Sequence, residues 1–137
     1  KVKKVVELFD WVDSVDSIKL ARRLSEEAAG QGLSLSIYLE VNMVGEATKF
    51  GFDPQTLRES IDEIIALPNL IVEGLMVMPP LVANQVDNRQ VFRSAKQLCD
   101  ELGLTRLSMG TSQDYKVAIE EGATMVRLGT AIFGKRG

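Results

Sequence analysis

The chain of 137 residues contains no histidine and a single cysteine, Cys99. The first absence removes histidine acid–base pairs, Ser-His-Asp triads and most zinc sites. The second excludes an internal disulfide and a cysteine metal cluster, and makes the cytoplasm the default location. No run of eighteen apolar residues exists, so no membrane span is expected. Lys1-Val2-Lys3-Lys4 has no apolar segment behind it and does not read as a secretion signal. Those lysines could invite an anionic partner, but the net charge of −3 argues against a nucleic-acid binder. What remains is the ordinary composition of a globular domain, with 45% hydrophobic and 26% charged residues.

Apolar runs alternate with helical patterns along the whole chain. Leu8 to Val15 reads as a first strand, and Asp16 or Ser17 caps a helix to about Ala29, with Gly30 and Gly32 as stops. Leu35 to Met43 reads as a second strand. Asp53 caps the next helix, which has Pro54 in its first turn and ends near Leu67-Pro68-Asn69. Ile71 to Met78 is a third strand. Asn84 to Leu102 carries Val91, Phe92, Ala95, Leu98, Cys99 and Leu102 at helical spacing and stops at Gly103. Arg106 to Met109 is a fourth strand, followed by a helix capped by Thr111 or Ser112 and running to about Glu121. Thr124 to Gly129 is a fifth. The order β-α-β-α-β-α-β-α-β implies parallel strands with crossover helices in one α/β unit covering residues 1–137. Periodicity alone leaves two architectures open, a doubly wound sheet or a stretch of a TIM-type barrel. The chain opens without Met, inside what reads as the end of a helix, so it is expected to begin mid-domain.

In both architectures the chemistry sits at the carboxyl ends of the strands. Two segments stand there: Ser108-Met109-Gly110-Thr111-Ser112-Gln113-Asp114 and Arg127-Leu128-Gly129-Thr130-Ala131. Each places glycine and hydroxyl residues at a helix start, where free N–H groups favour an anion. Thr111 with Asp114 also fits a capping box, a purely structural role. Two such segments after the last two strands form the usual phosphate site of barrels. Arg127 interrupts a strand otherwise suited to burial, so it must meet a ligand or an acid such as Glu40 or Glu73. Glu40 and Glu73 read as structural acids, Asp13 and Asp16 as caps, Trp11 and Tyr38 as packing, and Met76 and Met78 as core. Lys49 reads as a solvated loop residue.

Several segments, in order along the chain, resemble the pyridoxal phosphate homeostasis protein family. They are Phe9-Asp10, Val15-Asp16-Ser17, Val41-Asn42, Gly45-Glu46, Lys49-Phe50-Gly51-Phe52, Leu67-Pro68-Asn69-Leu70, Gly74-Leu75-Met76, Pro79-Pro80, Leu107 to Asp114 and Ala123 to Gly134. Thr111 stands where that family usually has methionine. The family is similar in fold to the N-terminal barrel of alanine racemase. The resemblance implies that the five strands are the fourth to eighth of a (β/α)8 TIM-type barrel. It implies pyridoxal 5'-phosphate as the bound cofactor. Ser108, Gly110, Thr111 and Ser112 would form its cradle with Gly129 and Thr130, and Arg127 would meet the ring nitrogen. The family's lysine that bonds the cofactor aldehyde would lie before Lys1, and none of the lysines here replaces it.

The implied function is cofactor homeostasis, meaning storage or delivery of pyridoxal phosphate, with PLP-dependent apoenzymes as possible recipients and no committed catalysis. The rival is a PLP-dependent racemase or decarboxylase completed by missing segments. A nucleotide or phosphosugar binder is a third reading. It lacks a glycine-rich loop after the first strand, where Asp13-Ser14-Val15-Asp16 stands.

Overall fold

The computed structural model describes residues 2–8, 11–43, 51–78 and 85–128. They form α1 (Val2–Leu8), β1 (Trp11–Val15), α2 (Ile18–Gly30), β2 (Leu35–Val41), α3 (Pro54–Ile65), β3 (Leu70–Val77), α4 (Gln85–Glu101), β4 (Arg106–Thr111), α5 (Tyr115–Glu120) and β5 (Met125–Arg127). The strands are all parallel and lie in the order β1-β2-β3-β4-β5. A doubly wound sheet reverses its strand order at a switch point; a barrel adds each strand to the last. The unbroken sequential order is therefore that of a half-barrel.

Helix starts are set by local chemistry. Ser17 caps α2 by accepting a hydrogen bond from the Leu20 N–H at 3.1 Å. Asp53 caps α3 by accepting from the N–H groups of Gln55 and Thr56, with Pro54 in the first turn. Asp16 is thus not the cap of α2, and neither is Asp13, which lies within β1.

Side chains on a strand alternate between faces. On β2, Leu35, Ile37, Leu39 and Val41 join one apolar core with Leu24 and Ala28 of α2 and Leu57, Ile61 and Ile64 of α3. Leu75, Val77, Leu107 and Met109 continue that core from β3 and β4, meeting Phe92, Ala95, Leu98 and Cys99 of α4. The opposite, concave face carries Ser36, Tyr38 and Glu40 from β2, Met76 from β3 and Ser108 from β4. The register aligns Glu40, Met76, Ser108 and Met125 as one rung across four strands. Tyr38 is 2% exposed and packs edge-on against Trp11, whose own exposure is 52%. Trp11 thus packs at the strand end as expected, whereas the expectation that Met78 is core fails, since it is 53% exposed.

Gly74 is required where β3 meets β4. A Cβ there would lie 1.8 Å from the Arg106 carbonyl oxygen. Next to it, Glu73 is paired with Arg106 at 3.3 Å and accepts from Ser36 Oγ at 3.3 Å. Glu73 is therefore not the partner of Arg127.

Candidate functional site

The carboxyl ends of β3, β4 and β5 converge on Arg127. Its Nη1 donates to Ser108 Oγ at 2.8 Å and its Nη2 to the Val77 carbonyl at 3.0 Å. A further contact of Nη2 reaches Met78 Sδ at 3.4 Å. Arg127 makes no ion pair among the described residues. Glu40, Asp13 and Asp114 act on it only as a surrounding negative field. Burial lowers its pKa from the ordinary arginine value and outweighs the pull of Asp13, Asp114 and Glu40. A guanidinium retains its charge under such conditions. The result is a desolvated cation held by neutral acceptors at the mouth of the sheet.

Glu40, on the same concave face, shows the complementary effect. Burial raises its carboxyl above the ordinary range, as do Asp16 and Asp13, while Arg127 lowers it. Asp13 and Asp16 thus belong to the electrostatics of the strand tips.

The β4–α5 turn differs from its sequence reading. The strand continues through Gly110 to Thr111, which pairs with Arg127 in the register. Helix α5 begins only at Tyr115, and its cap is Asp114. Neither Thr111 nor Ser112 caps it. Half of the anticipated capping box is nevertheless present: Asp114 Oδ1 accepts from the Thr111 N–H at 2.7 Å and from Thr111 Oγ1 at 3.2 Å. The other half is replaced by a turn in which the Asp114 N–H donates to the Thr111 carbonyl at 3.2 Å.

Gly110 has φ 101, the left-handed region that favours glycine. Its absent Cβ would lie 2.6 Å from Ala118 Cβ and 3.3 Å from Val126 Cγ1. Gly110 thus lets α5 and β5 close on β4, which is a different task from approaching an anion directly. Ser112 is half-buried, and its hydroxyl has no partner among the described residues. A depression of about 350 Å³ opens beside it, lined by Ser112, Gln113, Asp114, Tyr115, Lys116 and Val117. Ser108 is fully buried and oriented toward Arg127. Gly129 and Thr130 lie outside the described residues, as do Lys49 and Pro79-Pro80.

Sequence reasoning missed Asn88. Its Nδ2 donates to Asp114 Oδ2 at 2.8 Å, and the residue is 7% exposed. The signal was present: Asn88 precedes Phe92, Ala95 and Cys99 at helical spacing, on the face that α4 buries.

Over residues 1–137 the chain matches the family described as alanine racemase, N-terminal domain. It is 42% identical over 142 residues to the pyridoxal phosphate homeostasis protein of Aquifex aeolicus, covering 99% of this chain and 62% of that protein. The protein of the same name from Escherichia coli is 33% identical over 144 residues, with 99% and 60% covered. The chain therefore spans about three fifths of the length of these curated relatives. The solved structure of PipY of Synechococcus elongatus with PLP bound superposes with a TM-score of 0.91 at 39% identity, covering 98% of this chain and 65% of that one. Alanine racemase of Clostridium difficile superposes with a TM-score of 0.79 at 18% identity, covering 98% and 37%, a likeness of fold alone.

Proposed function

The chain belongs to the alanine racemase N-terminal-domain family, and from that premise we propose that it carries the phosphate and ring-nitrogen contacts of a pyridoxal 5'-phosphate site in a cofactor homeostasis protein. The observation that carries this reading is Arg127, a partly buried guanidinium at the strand tips with no ion pair among the described residues. Such a cation needs an electron-rich partner, and a guanidinium only donates. A ring nitrogen that accepts a hydrogen bond fits it. Relatives 42% and 33% identical bear the homeostasis name, and a 39% identical structure holds PLP; both support the assignment.

In this reading Ser108 orients Arg127, and the hydroxyl of Ser112 faces the phosphate together with neighbouring amides. Gly129 and Thr130 complete the phosphate cradle. The Thr111 N–H is already occupied by Asp114, so Thr111 shapes the turn through that bond. Gly110 brings α5 and β5 against β4 and so fixes where Ser112 stands. Bound pyridoxal phosphate supplies an aldehyde that condenses with amines and a ring that accepts electrons. Arg127 opposite the ring nitrogen disfavours protonation there, which suits storage and delivery in the cytoplasm better than broad amino-acid chemistry. PLP-dependent apoenzymes are the natural recipients. The five strands are read as the fourth to eighth of an eight-stranded barrel.

Calorimetric titration with pyridoxal 5'-phosphate tests the assignment. Saturable binding that inorganic phosphate weakens by competition is expected. Absence of binding refutes the assignment. Exchange of amino-acid α-protons with solvent at enzymatic rates would replace it with the racemase or decarboxylase reading.

A further inference from the structure

Resting on the cofactor reading, a second group of residues acquires a task at the same site. Asp114 is 7% exposed, and its carboxylate is fully engaged. Oδ1 takes the Thr111 N–H and Oγ1; Oδ2 takes Asn88 Nδ2. None of these bonds serves α5: Asp114 occupies the cap position of that helix yet gives it no side-chain hydrogen bond. A cap residue that ignores its own helix and turns back onto the preceding strand is spending its acceptors on the conformation of the turn.

Asn88 shows the same priority. Its Oδ1 is buried without a hydrogen-bond partner among the described residues, which is costly. An apolar residue at this place on α4 would avoid that cost. What asparagine adds is the Nδ2 donor that holds Asp114 Oδ2. Helix α4, packed against β3, β4 and α5, thereby reaches through Asn88 to the tip of β4. We propose that Asp114, clamped by Asn88, is the positioning residue that presents the Gly110–Ser112 turn to the phosphate of the cofactor.

A carboxylate beside a phosphate site would ordinarily repel the ligand. Here each of its oxygens already accepts from a donor of the turn or of α4, which offsets part of that repulsion. The Thr111 N–H is withdrawn from the ligand in the process, leaving the next residue, Ser112, whose hydroxyl has no partner among the described residues. The clamp therefore selects which groups of the turn remain available.

The test uses the full chain and two probes, pyridoxal 5'-phosphate and pyridoxal, which lacks the phosphate. Asp114→Ala should weaken binding of the phosphorylated probe about tenfold, the size of one lost charge-assisted hydrogen bond, and leave the affinity for pyridoxal within about twofold. Asp114→Asn should restore most of the affinity. Its carbonyl can accept the Thr111 N–H, and its amide can donate to Asn88 once that side chain turns over to present Oδ1. Amide hydrogen exchange supplies a readout independent of any ligand: exchange at Thr111 should quicken in Asp114→Ala and stay slow in Asp114→Asn. Asn88→Ala, a milder change, should weaken the phosphorylated probe by a smaller factor in the same direction.

A purely structural Asp114 would instead lower the melting temperature and weaken both probes by one factor; that result overturns the inference and leaves the cofactor reading standing. An asparagine variant as weak as the alanine variant overturns it too. If the unaltered protein binds neither probe, the cofactor reading falls and the inference falls with it.

Discussion

The outer helices and the concave face of the sheet both use arginine, and they use it oppositely. On the outside, successive helices are tied by exposed pairs: Arg22 to Glu63 between α2 and α3, Arg58 to Glu101 between α3 and α4, and Arg89 and Arg93 to Glu120 and Glu121 between α4 and α5. Apart from Glu121, whose side chain is only 12% exposed, these groups stand well in water and are screened by salt, so such pairs contribute little to stability. On the concave face, Arg127 is desolvated and meets a hydroxyl, a carbonyl and a thioether. Nature of partner, more than residue type, separates the outer arginines, which meet carboxylates, from the inner one, which meets none among the described residues.

The sharpest way to break this contrast is to remove the inner cation. Arg127→Met should weaken pyridoxal 5'-phosphate binding by about two orders of magnitude, as expected for losing charged hydrogen bonds, whereas Arg58→Gln should leave it unchanged. Equal effects of the two substitutions on the dissociation constant would erase the distinction. The seam between the two regions comes next. Gly110→Ala places a methyl group against Ala118 at a positive φ and should cost about 2 kcal/mol, read as a lowered urea midpoint. An unchanged midpoint would mean that the turn can relax.

Charge effects should be smaller. The Glu40 carboxyl is raised in the folded state, first by its burial. Its contribution to stability is therefore fully present below the unfolded value of about 4.3 and lost as pH rises through the higher folded value. Glu40→Gln should be more stable than the unaltered chain at pH 7 and lose that advantage near pH 4, as measured by thermal melts across pH. On the outside the sign reverses. Glu121 is lowered by hydrogen bonds from Arg93 and Arg89. Its contribution is present above the unfolded value and fades as pH falls through the lower folded value. Glu121→Gln should reduce the melting temperature slightly at pH 7, with the difference shrinking in acid and in high salt.

The outer half of the molecule was largely legible in the sequence. Apolar spacing located the five strands and the helices between them, though Leu8, read as strand, ends α1; Ser17, Asp53 and Pro54 marked helix starts by chemistry that acts within one turn. Periodicity could not choose between an open sheet and a barrel, because strand order is a long-range property, fixed by which strands pair across the crossovers. The inner half was legible in its residue types and not in its partners. Arg127 stood out as a charge in an apolar strand, but its contacts lie 19 and 50 residues away in sequence. Thr111 and Asp114 looked like a helix cap because spacing alone does not reveal that β4 continues through a positive-φ glycine. Spacing could place Asn88 on the buried face of α4, but its partner, 26 positions on, is a matter of the fold.

The central claim is that Arg127 is the seat of the cofactor ring and the Gly110–Ser112 turn the seat of its phosphate. Diffraction from crystals grown with pyridoxal 5'-phosphate tests this most directly. The ring nitrogen should lie within hydrogen-bonding distance of the Arg127 guanidinium, with the phosphate against Ser112. A ligand bound elsewhere, with Arg127 still held by Ser108, Val77 and Met78, would contradict it.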